Sequence, residues 1–145
     1  MTGEMNMHMK WTQDCRLGIP EIDSQHRLLF AIANELLDIE NPLEQQLEFK
    51  YMIDHLRNYV DGHFQTEGKF MEDIKYPERE GYTKMHNAII EEINNTLKSC
   101  TDLRTLKERF QLLMSNWIKD HICEEDKRYA KWYHQNKQPE PKDFV

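Results

Sequence analysis

The sequence predicts an all-α protein: an antiparallel up-down-up-down four-helix bundle preceded by an irregular N-terminal arm. Three observations carry this expectation. Apolar residues recur at helical spacing in four separate stretches. Short connections with cap and break signals join those stretches, which favours antiparallel neighbours. The composition (145 residues, 39% hydrophobic, 31% charged, only 5 Gly and 5 Pro) is that of one globular, helix-leaning domain.

Residues 1–20 read as the arm, with Gly18 and Pro20 near its end. A bundle is expected over 21–133. Its first helix opens on Glu21, Asp23 and Ser24, acidic and capping residues that suit the positive end of a helix dipole. The stripe His26, Leu29, Ala33, Leu36, Leu37 follows. Asn41-Pro42 supplies an N-cap and an N1 proline, so a second helix is expected from there. Its stripe is Phe49, Met52, Ile53, Leu56, Val60, His63, Phe64, Glu67, Phe70, Met71, and Tyr76-Pro77 ends it, because a residue before proline avoids helical backbone.

The third helix is expected to start between Gly81 and Thr83, with the stripe Tyr82, His86, Ile89, Ile90, Ile93, Leu97, Cys100. Thr101-Asp102 reads as a turn and cap before a fourth stripe of Leu103, Leu106, Phe110, Leu113, Trp117 and His121. Residues 134–145, with Pro139 and Pro141, read as a polar tail. His8, His55 and His134 read as solvated surface residues.

The balance of charge narrows the partners. With 19 basic and 26 acidic residues the net charge is −7, and no Lys/Arg cluster exists to grip phosphate. Nucleic acid is therefore a poor partner, and nothing identifies a protein partner. A mean hydropathy of −0.86 and the lack of an ~18-residue apolar run argue against a membrane span. No signal-peptide pattern opens the sequence, so a cytoplasmic protein is expected. Cys15, Cys100 and Cys123 are odd in number and lack CxxC spacing, which predicts three reduced thiols rather than a disulfide or a thiolate zinc site.

The apolar stripes carry groups foreign to a hydrophobic core: His26 on the first, His63 and Glu67 on the second, Tyr82 and His86 on the third, His121 on the fourth. One such histidine is usually a satisfied core residue. A buried ionised carboxylate without a partner costs several kcal/mol, on the order of what a small domain can spare. Two i, i+4 pairs, His63/Glu67 and Tyr82/His86, converge from neighbouring turns on different helices, which is the geometry of a metal site inside a bundle. Asp126 fits less simply. Five residues after His121 it lies about 140° away on an ideal helix. It reads either as part of the charged run Glu124–Arg128 or as a ligand delivered by a widened π turn. Imidazoles and carboxylates without thiolate suit iron, manganese or zinc, and so many candidates suggest two ions. Neither Glu-x-x-His repeats nor His-Glu-x-x-His occurs, which disfavours ferritin-like di-iron and zinc-protease sites.

These residues, in this order, resemble the bacterial hemerythrin-like proteins of the hemerythrin family. The likeness runs from Trp11 to Tyr133. It rests on Trp11, Gly18, Ile22-Asp23-Ser24-Gln25-His26, His63-Phe64-Gln65-Thr66-Glu67, Met71, Tyr76-Pro77, Trp117 and His121-Ile122-Cys123-Glu124-Glu125-Asp126. The resemblance implies two iron ions bridged by oxo or hydroxo, with O2 or a related small diatomic as ligand. It implies Glu67 and Asp126 as bridges, His26 and His63 on the iron that keeps an open position, and His86 and His121 on the other. Phe64, Trp117 and Ile122 would wall a dry pocket.

The sequence departs from the family at Tyr82, where a histidine ligand is usual. A phenolate there would lower the formal charge of the core by one and favour ferric iron, hence a lower potential and faster autoxidation. The alternatives are a core aromatic beside a water ligand, or Glu78, Glu80 or an exogenous donor. Carriage, storage or sensing of O2 is the expected function. A redox enzyme acting on peroxide or nitric oxide, and a metal-depleted structural bundle, are the competing ones.

Overall fold

The computed structural model describes residues 9–136, apart from the side chains of residues 118 and 119. The elements are a 3-10 turn (Gln13–Cys15), α1 (Pro20–Leu37), α2 (Gln46–Asp73), α3 (Arg79–Ser99), α4 (Leu103–Trp117), a π segment (Ile118–Glu125) and α5 (Asp126–Asn136). The last three run on without a break and together make the fourth helix of an all-α bundle. In sequence order each helix packs on the next, and α4 closes the ring against α1. His8 and residues 137–145 of the expected tail lie outside the described residues.

The helix limits differ from the sequence expectation where side chains close turns. After Asn41, the chain makes a turn instead of a helix: the Asn41 carbonyl accepts from the amides of Glu44 and Gln45, and its side-chain oxygen from that of Leu43 at 3.2 Å. α2 therefore starts at Gln46. Its end comes before Tyr76-Pro77 because Lys75 takes a left-handed conformation (φ 59°). The Tyr76 amide then bonds the Met71 carbonyl at 2.9 Å and the Lys75 amide that of Glu72 at 3.1 Å, a Schellman closure that also packs buried Tyr76 with Met71. α3 begins at Arg79, two residues ahead of expectation. Asp102 does cap α4, accepting from the Thr105 amide at 2.8 Å.

The arm is more ordered than its sequence suggested. The Asp23 carboxylate on α1 reaches back to accept the amides of Leu17 and Gly18 at 2.9 and 3.0 Å. Gly18 has φ +76°, and His134 packs against it, with Nε2 2.9 Å from the Leu17 carbonyl. His134 is thus exposed yet engaged, and the helix continues through it to Asn136. His55 is exposed beside Tyr51, as expected.

The expectation of three reduced thiols is overturned. Cys15 and Cys123 form a disulfide, and Cys100 is the free cysteine. The pair is separated by 108 residues and has no local spacing signal; only the closed bundle brings the π segment alongside the arm. In the chain-entropy account a link closing a loop of ~100 residues stabilises by up to about 4.7 kcal/mol.

Two apolar clusters fill the interior. The larger holds Leu29, Ala33, Leu56, Val60, Phe64, Ile89, Phe110, Trp117 and Ile122; the smaller holds Ile22, Met71, Tyr76, Tyr82, Tyr129 and Ala130. Among the described residues no helix is long and apolar enough to cross a membrane.

Left-handed backbone costs a non-glycine residue roughly 1–2 kcal/mol. Lys75→Gly is therefore expected to raise stability by about 1 kcal/mol, read as a higher guanidinium midpoint at unchanged slope.

Candidate metal centre

Each helix of the bundle passes from one apolar cluster to the other, and the polar groups lie at the crossing. On α1, His26 falls between Ile22 and Leu29; on α3, His86 falls between Tyr82 and Ile89; on α2, His63 and Glu67 fall between Val60 and Met71. The fourth helix supplies His121 from the π segment and Asp126 just after it. Its i→i+5 pattern brings residues five apart onto one face, so the wider turn delivers Asp126 as a regular α-helix would not. All six are buried, with Glu67, His26 and Asp126 at 0% exposure.

Glu67 is the hub. Its Oε1 lies 3.4 Å from His63 Nε2, 3.3 Å from His86 Nε2 and 4.0 Å from His121 Nε2, while Oε2 lies 3.5 Å from His26 Nε2. Asp126 spans the same gap, with Oδ2 3.3 Å from His26 Nε2 and Oδ1 3.1 Å from His121 Nε2. Two donor groups result: His26, His63, Glu67 and Asp126, and Glu67, His86 and His121, each with its ligand atoms within 4.8 Å of one another. Glu67 belongs to both.

The residues fit a pair of hard or borderline cations. Although close, His26 Nε2, His63 Nε2, Glu67 Oε1 and both Asp126 oxygens have no hydrogen-bond partner; the distances are met but not the angles. Buried polar atoms are rarely left so, and several together mark a place built for something other than hydrogen bonds. Burial pushes the imidazoles of His63 and His121 down to about 4 and about 3 despite the opposing pull of Glu67. Neutral imidazole is the form that ligates a metal. Burial would raise Glu67, but the imidazoles around it, His63 first and then His26 and His86, hold it well below its usual range. Burial and the neighbouring Glu67 push Asp126 up.

A second layer orients these donors. The Nδ1 of His63 lies 2.7 Å from Gln25 Oε1, which fixes the proton on Nδ1 and leaves the Nε2 lone pair facing Glu67. Gln25 is itself tied down, its carbonyl accepting from Tyr59 at 3.1 Å and its amide reaching Thr66 at 3.4 Å. The Tyr129 hydroxyl donates to Glu67 Oε2 at 2.5 Å and so holds the carboxylate in place. His121 Nδ1 sits 3.2 Å from Met85 Sδ and 3.5 Å from Glu125 Oε1. Sequence reasoning missed Gln25, Tyr129 and Met85 in these roles. Only Tyr129 carried a signal, three residues after Asp126 and so on the same helix face.

Tyr82 is buried in the smaller cluster, its ring centroid 5.9 Å from that of His86 and 6.0 Å from that of His121. Its hydroxyl donates to the Glu125 carbonyl in the π segment. Burial, then the charge of Asp126, raises its phenol above the ordinary value, which keeps it protonated. Phe64 stacks on the His86 ring at 3.8 Å, Trp117 lies over His121 at 5.7 Å, and Ile122 is fully buried. An open cleft of about 520 Å³ between α3 and α4, lined by Met85, Ile89, Leu113 and Trp117, reaches His121.

A pH dependence follows from the two depressed imidazoles. An unfolded chain binds protons on His63 and His121 below about 6.5, whereas the folded, metal-free chain takes them up only near 4 and 3. Folding stability is therefore full above that range and is lost as pH falls through it. Asp126, pushed up, pulls the other way, while Glu67, held low, acts with the imidazoles. The melting temperature of the metal-free chain should fall between pH 7 and pH 4, roughly the window set by those values. A flat profile would show that these rings are not buried as neutral bases.

Comparison with known proteins agrees with the geometry. The model of the hemerythrin HHE cation binding domain matches residues 17–133. The bacteriohemerythrin of Clostridium acetobutylicum is 30% identical over 125 residues, covering 82% of this chain and 96% of that protein. The bacteriohemerythrin of Campylobacter jejuni is 29% identical over 113 residues (77% and 85%), and that of Stenotrophomonas maltophilia 26% over 120 (83% and 78%). With a family match over most of its length, and a donor set to go with it, the chain belongs to the hemerythrin family.

Proposed function

We propose that this protein binds O2, or a related small diatomic, at two iron ions held by His26, His63, Glu67, His86, His121 and Asp126, with Tyr82 beside them either as a tyrosinate ligand or as a neutral brace. The observation that carries the reading is the pair of buried donor groups sharing Glu67. When bound, a diferrous iron pair would supply an open coordination position and two reducing equivalents. Everything else is the work of the chain. Gln25 presents the His63 lone pair, and Tyr129 pins one oxygen of Glu67 while the other faces three imidazoles. Glu67 and Asp126 bring the negative charge that two cations need, and each reaches histidines of both groups. Phe64, Trp117 and Ile122, all buried, would wall the pocket.

Carriage, storage or sensing is the leading reading, and turnover of peroxide or nitric oxide at the same site is the alternative. The named relatives are bacteriohemerythrins, which supports the same reading. A cytoplasmic location is part of it, and there a disulfide such as Cys15–Cys123 is expected to be transient rather than permanent.

Tyr82 has two readings. As a tyrosinate ligand it favours the ferric state and shortens the life of the oxygenated form. The hydrogen bond to the Glu125 carbonyl favours the other reading, a neutral phenol that braces the π segment. Two outcomes are expected. Anaerobic reduction of the iron-loaded protein followed by O2 titration should give saturable, reversible oxygenation; turnover of added peroxide or nitric oxide instead would make it an enzyme. On the tyrosinate reading, Tyr82→Phe abolishes a visible phenolate-to-iron band and slows autoxidation by roughly tenfold, about 1.4 kcal/mol in the barrier. A spectrum unchanged by that substitution assigns Tyr82 to the brace.

A further inference from the structure

The Cys15–Cys123 disulfide joins two ligand-bearing parts of the molecule. Cys123 lies in the π segment, two residues after His121 and three before Asp126. Cys15 ends the 3-10 turn of the arm. From Cys15 the chain is pinned within three residues, where Leu17 and Gly18 donate to the Asp23 carboxylate. Asp23 is one helical turn before His26 on α1. A short, hydrogen-bonded path therefore runs from His121 through the disulfide and Asp23 to His26, bracing the bundle across the site.

We propose that Cys15–Cys123 is a reversible thiol–disulfide exchange site, and that a dithiol reductant acting there loosens the π segment and its hold on metal. The two sulfurs are unequal: Cys15 is 4% exposed, whereas Cys123 is only half-buried. The entering thiolate of the dithiol attacks Cys123 Sγ, and the bond between the two sulfurs breaks. Cys15 leaves as a thiolate and takes a proton from solvent. The second thiol of the reductant then attacks the mixed disulfide and frees Cys123. Two electrons and two protons pass to the protein, and the reductant departs as a disulfide. The reverse exchange restores the link. Once the link is open, the wide turn that aligns His121 with Asp126 loses its covalent tie to α1. Cys100, half-buried at the end of α3 and packed on the larger cluster, has no such partner and serves as an internal control.

The effect on metal rests on the iron reading above; the exchange site does not. The test uses the full chain, iron-loaded and metal-free, before and after native treatment with dithiothreitol. Alkylation and mass spectrometry should count one free thiol before treatment and three after. Amide hydrogen exchange over residues 118–126 should speed up on reduction in both forms, and iron loss to a chelator should accelerate about tenfold, the scale of losing a supporting contact. Apart from the thiol each lacks, Cys100→Ser should match the parent in amide exchange and iron loss, and Cys123→Ser should match the reduced protein in either buffer. Three thiols at the outset, a link that resists excess dithiol, or unchanged exchange over 118–126 after reduction would overturn the proposal. If no iron is taken up at all, the O2 reading falls, and the thiol count and amide exchange still decide this one.

Discussion

Four imidazoles and two carboxylates buried at one level of an apolar bundle impose the constraint on which the rest of the structure depends. Removing such groups from water costs several kcal/mol apiece unless something offsets it, roughly the whole margin of a small domain. The chain meets part of this cost itself. Two of the histidines stay neutral, and Glu67 stays charged because imidazoles surround it. Five of the buried donor atoms still have no hydrogen-bond partner, and Asp126 is driven toward its protonated form by burial and then by Glu67. Two cations shared between the carboxylates would relieve all of these strains together.

The backbone accommodates that demand at specific places. A regular fourth helix would present either His121 or Asp126, and the π segment presents both. Such a turn packs less favourably than an α-helix, so it is supported from outside: by the Tyr82 hydroxyl on the Glu125 carbonyl, by the disulfide to the arm, and by Trp117 over the His121 ring. On the opposite side the support is lighter: His26 and His63 sit on regular helices, Gln25 sets the tautomer of His63, and His26 Nδ1 has no hydrogen-bond partner. The half of the site that departs most from ideal geometry is the half with the most bracing.

Much of this was legible in the residues. The four stripes located the helices, because burying one face of a helix leaves a period that survives any change of detail. The polar intruders in those stripes located the site, because a lone buried charge is intolerable and a convergent group is not. Even the difficulty with Asp126 was informative: its five-residue spacing demanded a widened turn, and one is there. What escaped was set by contacts distant in sequence. Nothing local to Gln25 says that its amide will meet His63, 38 residues on, and nothing near Cys15 points to Cys123. The end of α2 was misplaced for a different reason. Lys75 adopts a backbone region that its side chain disfavours, and the Schellman closure outweighs that cost.

The central claim is that the buried belt exists to hold two metal ions with Glu67 between them. Anomalous scattering at the iron edge from crystals of the iron-loaded protein tests it most directly. The account predicts two peaks per chain inside the bundle, one against His26 and His63, the other against His86 and His121. A single peak, or iron found only at the surface, would contradict it.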